Sequence, residues 1–162
     1  MIYYSCIESP LGKLTISTDG LAILALHIEG DRYFTYVPEN WVKNQNEPLL
    51  EATQKELAEY FVGKRSEFSV PVQTTGTDFQ MSVWKALQTI PAGSTTSYGE
   101  LARQIGKPSA VRAVGTAVGR NPVCIMIPCH RVLTSTGQLG GYVAGTDCKQ
   151  RLLALEDTTF VQ

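Results

Sequence analysis

The chain is short of thiols, histidines and charge. It has four cysteines, at 6, 124, 129 and 148, and two histidines, at 27 and 130. No two cysteines stand at CxxC spacing and no Cys/His cluster has the ligand count of a zinc site, so no metal is expected. The N-terminus lacks the charged, then apolar, then small-residue pattern of a secretory leader, so the thiols are expected to be reduced and the protein cytoplasmic. No apolar run approaches the ~18 residues of a membrane span, which excludes a helical membrane protein. Charged residues make up only 18% of the 162, and the net charge is −1, which argues against a uniformly basic nucleic-acid binder. The balance is uneven, however. Residues 1–78 carry six Lys/Arg against eleven Asp/Glu, a net of −5, whereas residues 79–162 carry eight against four, a net of +4. That asymmetry points to a C-terminal half that meets something anionic.

The chain turns on the stretch Ile125-Met126-Ile127-Pro128-Cys129-His130-Arg131-Val132. Val123, Ile125 and Ile127 fall on one side of a period-2 pattern, which predicts a short buried strand. Pro128 has no N–H to give a ladder and fixes its own φ, so the chain is expected to leave the sheet there. Cys129 then sits at the end of a rigid element, a good place to hold a nucleophile. By residue type alone a core thiol beside a surface histidine is the default, because free cysteine is among the most buried residues.

Taken in order, the first thirty residues read as a β-meander. Ile2–Ile7 is one strand, Ser9-Pro10-Leu11-Gly12 a turn, and Leu14/Ile16 alternate with Thr15/Ser17. Asp19-Gly20 reverses the chain and residues 21–28 return. His27 reads as a surface residue, and residues 29–46 as loop. Glu47–Val62 carries apolar Leu49, Leu50, Leu57, Tyr60 and Phe61 among charges and ends at Gly63, which predicts an amphipathic helix. Ser66–Val72 is a candidate further strand. Thr74-Thr75-Gly76 is the expected boundary between an N-terminal α/β domain, 1–76, and a C-terminal domain, 77–162.

The second half is helical. Thr77-Asp78-Phe79-Gln80 fits a capping box, and Phe79, Val83, Trp84 and Leu87 form a buried face before Pro91. Ser97-Tyr98-Gly99-Glu100 is a second capping box, opening a two-turn helix that stops at Gly106-Lys107-Pro108. Ser109 is expected to cap the next helix, Ala110 to about Gly119, with Val111, Val114 and Val118 inward. Two short helices joined by a turn containing glycine have the form of a helix-turn-helix. The second is almost all small residues: Ala110, Ala113, Gly115, Thr116, Ala117 and Gly119. Glycine within a helix costs about 1 kcal/mol relative to alanine, so close packing or a close external partner is implied. Arg112, in its first turn, opposes the macrodipole and is better explained by such a partner. The fold class is therefore α+β: an N-terminal antiparallel sheet with a helix, then a mostly helical domain containing a helix-turn-helix.

A thiol becomes a nucleophile with the help of a histidine and a third group that orients it. His130 is adjacent, but neighbours in an extended segment point apart, so a bend at Pro128 or one bridging water is needed. A last helix, Asp147–Asp157, is expected to be capped by Thr146. Its Glu156 lies four residues after Leu152, near the buried face and at the end where a carboxylate wants a cationic or N–H partner. His130 is the candidate partner.

Asn121-Pro122, Ile127-Pro128-Cys129-His130-Arg131-Val132, Gly137 and Gly140-Gly141-Tyr142 together resemble the signature of the alkylguanine-DNA alkyltransferases. The resemblance runs through about residues 77–157, with a weaker match before it. It implies direct-reversal repair: the minor groove of double-stranded DNA is bound, an O6-alkylguanine flipped out, and its alkyl group moved irreversibly to the protein's own cysteine, with O4-alkylthymine a further substrate. It implies a monomer in solution, without cofactor. By position, Cys129 resembles the acceptor, His130 acts through water and Glu156 completes the relay. Tyr98 resembles the residue that protonates the departing guanine, and Asn121 the one that braces the active-site turn. Arg112 resembles the finger that fills the gap left by the flipped base. Ser97, Ala113, Gly115 and Thr116 fall on the expected DNA face, where a narrow groove admits a helix with few protruding side chains. Tyr98, Met126, Val132, Ser135, Tyr142, Val143 and Ala144 are the expected base-pocket residues. The family loop often reads Gly-Tyr-x-Gly-Gly, whereas this chain has Gly141-Tyr142-Val143-Ala144-Gly145, which bears on the alkyl size the pocket takes. Two rival readings are a non-catalytic binder of alkylated bases and a cysteine hydrolase.

Overall fold

Alternation in the first thirty residues produces the expected meander. In the computed structural model, which describes residues 1–158, the strands are β1 (Ile2–Ser9), β2 (Gly12–Thr18) and β3 (Ile23–Ile28). The β1–β2 turn closes when Ser9 Oγ donates to the Gly12 carbonyl at 2.7 Å, and Gly12 takes φ +98°, a conformation that favours glycine. A fourth strand, β4 (Trp41–Lys43), lies in the stretch expected to be loop. It pairs parallel with β1, Ile2 opposite Trp41, so the sheet is mixed, in the order β3-β2-β1-β4. Three residues give no periodicity to read, and a parallel partner forty residues away gives no hairpin signal.

Helix α1 (Pro48–Phe61) starts where Glu47 accepts backbone N–H groups from Leu49 and Leu50, both at 3.1 Å. Leu50 and Leu57 join Leu14, Ile16, Ile23 and Leu26 in full burial, each contributing on the order of 2 kcal/mol. Ser66–Val72 is not a strand; only Val72 bridges to Ile23. His27 is not a surface residue either. Its Nδ1 donates to the buried Asp31 carboxylate at 3.0 Å, and its ring stacks on Phe34 at 4.1 Å. The segment Pro122–Met126 belongs to this first unit along with Met1–Thr74, and Leu26 and Val123 form a bridge there. The single cut expected near Thr75 thus becomes two units that share the chain by an excursion.

The second unit is Thr75–Asn121 with Ile127 onward. Helix α2 (Asp78–Leu87) opens on a complete capping box between Thr77 and Gln80. Helix α3 (Tyr98–Gln104) is capped by Ser97 Oγ, which accepts the Glu100 N–H at 3.1 Å, while the Glu100 carboxylate pairs with Arg103. Helix α4 (Val111–Gly119) follows after a connection in which Gly106 has φ +75°. Contrary to expectation Ser109 does not cap it; Ala110 holds the cap position without a side-chain bond. Its buried stripe is Val114, Ala117 and Val118, and Val111 is exposed. Trp84 of α2 donates its indole N–H to the Ala117 carbonyl at 2.8 Å, fixing α4 from behind. A two-strand parallel pair, β5 (Thr96–Ser97) and β6 (Val132–Leu133), leads into α3 and out of the cysteine turn. Helix α5 spans Thr146–Leu155 and starts after Gly145 at φ +98°, with no side-chain cap, so Thr146 is its first residue rather than its cap. Among the described residues no helix is long and apolar enough to cross a membrane.

Candidate active site

The apolar run before Cys129 is not a strand but a series of tight turns. Met126 N–H donates to the Cys124 carbonyl at 2.8 Å around Ile125, whose φ is +73°. This is a strained γ-turn, and a β-branched residue is rarely found there. The Asn121 side-chain amide donates to the Ile127 carbonyl at 2.8 Å. Pro128, at φ −81° and ψ 65°, makes an inverse γ-turn, with Cys129 N–H bonded to the Ile127 carbonyl at 2.8 Å. One 3-10 turn, Cys129–Arg131, then presents the cysteine and histidine. The period-2 reading failed because Val123, Cys124, Ile125 and Ile127 are all buried. An apolar run cannot say whether its sides alternate or are all enclosed.

The turn carries Cys129, His130 and Arg131 into burial together. His130 Nε2–H donates to Glu156 Oε2 at 2.8 Å, which leaves Nδ1 as the unprotonated nitrogen. Nδ1 is buried without a protein hydrogen-bond partner among the described residues. Arg131, which the sequence reading passed over, fills the rest of the carboxylate. Its Nε donates to Glu156 Oε1 and its Nη2 to Oε2, both at 2.8 Å, and its Nη1 donates to the Ile90 carbonyl at 2.5 Å. Glu156 is the C-cap of α5, where the helix dipole disfavours a carboxylate and the guanidinium compensates it. Burial pushes His130 below the ordinary histidine range. Glu156 opposes that shift, and the nearby positive charges of Arg131 and Lys149 reinforce it. The imidazole is therefore neutral and suited to accept a proton at Nδ1.

Tyr98 heads α3, and burial and the nearby Cys129 both raise its hydroxyl above the ordinary tyrosine range, so it stays a neutral donor. A Cβ added at Gly115 would stand 3.7 Å from its ring, and one added at Gly140 would stand 3.5 Å from its hydroxyl. The space at Gly115 would thus admit a methyl in ordinary contact with this ring, whereas Gly140, at φ +68°, takes a conformation that favours glycine and lies beside the Tyr98 oxygen. Val132 and Tyr142 are buried, and so is Val143, while Ala144 and Met126 are half-buried and Ser135 is exposed. Arg112, Ala113 and Thr116 share the exposed face of α4, with Thr116 Oγ1 bonded to the Arg112 carbonyl at 3.2 Å; Ser97 is engaged as a cap.

Lys149 was the other residue missed. It is fully buried, and its Nζ donates to the carbonyls of Val132 (2.6 Å), Gly141 (3.1 Å) and Leu139. A signal existed: Lys149, Leu152, Leu153 and Glu156 follow one i, i+3, i+4, i+7 stripe, so the periodicity that placed Glu156 inward placed Lys149 there too. Among the described residues no group of three or more His, Cys, Asp or Glu could hold a metal ion.

A helix-turn-helix joined to a buried Cys-His-Glu array defines a nucleic-acid-directed protein with a thiol nucleophile, and known proteins of that class match this chain. Residues 78–158 match the DNA-binding domain of 6-O-methylguanine DNA methyltransferase, and residues 2–74 match its ribonuclease-like domain. The chain belongs to the 6-O-methylguanine DNA methyltransferase family. It is 42% identical over 155 residues to the methylated-DNA–protein-cysteine methyltransferase of Methanosarcina acetivorans, covering 96% of this chain and 98% of that one. The protein of that name from Mycolicibacterium paratuberculosis is 44% identical over 156 residues, with 96% and 93% covered. Among solved structures, Mycobacterium tuberculosis OGT in complex with DNA matches with a TM-score of 0.88 at 43% identity, covering 95% of this chain and 92% of that one.

Proposed function

We propose that this protein repairs DNA by direct reversal, transferring the alkyl group of O6-alkylguanine, and of O4-alkylthymine, to Cys129 in a single, self-inactivating turnover. The observation that carries the reading is the buried array at the cysteine turn: a thiol, a neutral histidine whose Nδ1 has no protein partner among the described residues, and a carboxylate that fixes the other nitrogen. In the reaction the Cys129 sulfur forms a bond to the alkyl carbon as the carbon–O6 bond breaks. The thiol proton goes to His130 Nδ1 through one water. The electron pair of the broken bond goes to the guanine, which takes a proton from the Tyr98 hydroxyl, and solvent then restores Tyr98. The flipped base is held between Tyr98, Met126, Val132 and the loop Ser135–Ala144. Ser97 and α4, with Ala113 and Thr116 on its exposed face and the half-buried Gly115 between them, lie along the minor groove, and Asn121 holds the turn in register. The partner is double-stranded DNA, the protein acts as a monomer, and its compartment is the cytoplasm.

Intact-mass measurement after incubation with O6-alkylguanine DNA tests this. One alkyl group retained per chain is expected. Binding without mass gain would make the protein a non-catalytic binder of alkylated bases, and release of product over many turnovers would make it a cysteine hydrolase.

Arg112 stands exposed in the first turn of α4. If it fills the gap left by the flipped base, it offsets unstacking worth a few kcal/mol, so Arg112→Ala is expected to slow repair of duplex DNA by about 10²-fold. Transfer from the free alkylguanine base, which has no stack to leave, should change little. Equal losses on the two substrates would assign Arg112 to the chemistry or the fold.

A further inference from the structure

Outside the acceptor site, the first unit holds a cavity of about 440 Å³, bounded by β2, the end of β3 and the loop that follows. That is room for a ligand of nucleotide size. His27 and Phe34, on its lining, stack at 4.1 Å, and Trp41 backs Phe34 at 5.9 Å. The buried Asp31 carboxylate fixes this wall of rings by accepting from His27 Nδ1 at 3.0 Å and from the Tyr33 N–H at 2.8 Å. Holding the loop uses one nitrogen of His27. The other, Nε2, has no hydrogen-bond partner among the described residues and is left as an acceptor. Lys13 and Arg32 also line the cavity, and neither forms an ion pair with a carboxylate among the described residues. Of the two carboxylates on the lining, Asp31 is engaged by His27, and Glu29 lies over Gly12, its Oε1 3.4 Å from where a Cβ would stand. The uncompensated charge is positive. Tyr36 lines the cavity too and is 75% exposed, which leaves a ring face open.

We propose that this cavity binds a free nucleoside 5′-monophosphate: Lys13 and Arg32 hold the phosphate, His27 Nε2 accepts from a sugar hydroxyl, and Tyr36 covers the base. An ammonium and a guanidinium together suit a phosphate dianion, through charge-assisted contacts that a neutral ligand cannot make. Thr15, opposite His27 in the β2–β3 register, sets a hydroxyl beside the imidazole for the same sugar. Stacking on tyrosine tolerates any base, so the site selects the phosphate and the sugar rather than the base. The sugar hydroxyl also separates a free nucleotide from a strand end. In a 5′-phosphorylated DNA strand the 3′ oxygen is esterified and cannot donate to Nε2. The lining lies within residues 13–37, so the site does not depend on Cys129 being the acceptor.

The test titrates the full chain, labelled with nitrogen-15, with 2′-deoxyadenosine 5′-monophosphate and follows the amide resonances. Saturating shifts are expected among residues 13–15 and 27–37, with a dissociation constant below about 1 mM. Lys13→Gln and Arg32→Gln change exposed side chains and leave the wall of rings intact. Each should weaken binding by about 10-fold and leave alkyl transfer within about twofold of wild type. The nucleoside without its phosphate should bind about 10²-fold more weakly, and the 2′,3′-dideoxynucleotide about 10-fold more weakly. Absence of shifts in these residues at about 10 mM nucleotide would overturn the proposal. So would wild-type affinity in either charge variant, or inorganic phosphate that binds as tightly as the nucleotide. A 5′-phosphorylated DNA tetramer that matches the nucleotide at these residues would overturn it as well, by making the site one for strand ends.

Discussion

Cys129→Ser is expected to abolish alkyl transfer while leaving affinity for alkylated duplex DNA within about twofold, because the thiol receives the alkyl group but sits buried, away from the exposed face of α4. A serine hydroxyl beside a neutral histidine is far too weak an acid to form the alkoxide, and the oxygen is a poorer nucleophile than the thiolate. The change replaces one buried atom, so the cost to folding should stay at about 1–3 kcal/mol, measurable by denaturant unfolding. Neither neighbouring thiol should take over. Cys148 lies close enough to Cys129 to feel its charge, but burial, reinforced by that charge, lifts it to about 11. Only about one molecule in 10⁴ then carries a Cys148 thiolate at pH 7. Most of that shift comes from burial and survives the substitution. Peptide mapping of the incubated variant decides: alkyl found on Cys124 or Cys148 would move the acceptor assignment off Cys129.

The parts of this molecule legible in advance are those set by local chemistry. The Thr77/Gln80 capping box, the hairpins of the meander and the amphipathic α1 are each encoded in a run of neighbouring residues, and each is present. Caps inferred from residue type alone failed at Ser109 and Thr146, because a hydroxyl near a helix start caps only if the chain turns to aim it. The turn series at 122–128 was illegible for a different reason. Its shape is set by the Asn121 amide on the Ile127 carbonyl and by the burial of Val123, Cys124, Ile125 and Ile127, and neither leaves a period. Arg131 and Lys149 were passed over because their residue types belong on surfaces unless paired. Their partners, Glu156 for the arginine and the carbonyls of Val132, Leu139 and Gly141 for the lysine, are remote in sequence. His27 was misplaced by the same habit. Glu156 was legible, but the guanidinium that balances it was not. A carboxylate alone would charge the histidine, whereas here Arg131 already balances that carboxylate and burial dominates.

That balance sets the second large expectation, for Glu156→Gln. The substitution keeps the shape but leaves the Arg131 guanidinium buried without its counter-charge, bonded to the Ile90 carbonyl and at most to the one glutamine oxygen. Breaking a buried pair from one side costs about 3–5 kcal/mol, so the melting temperature should drop by about 6–20 °C. Transfer should also slow, by about 10- to 10²-fold, because a glutamine amide can either accept from or donate to His130 Nε2. The tautomer that leaves Nδ1 free to take the thiol proton is then no longer enforced. Charging of the imidazole is not the route. Burial holds His130 below its ordinary value of 6.5, and removing a carboxylate that opposes the shift lowers it further. The linkage sign follows: above about pH 6.5 the histidine is neutral in both folded and unfolded chains and costs nothing. As the pH falls through 6.5 the unfolded chain binds a proton that the folded one refuses, so stability is lost toward acid, over a wider window in the variant. A second substitution separates fold from chemistry. Arg131→Met in the Glu156→Gln background removes the stranded charge and should recover much of the lost stability, since replacing both members of a buried pair is often close to neutral. The transfer rate should stay low, because His130 still lacks its carboxylate. If the double variant regained rate along with stability, Glu156 would be a structural partner of Arg131 and no part of the proton path.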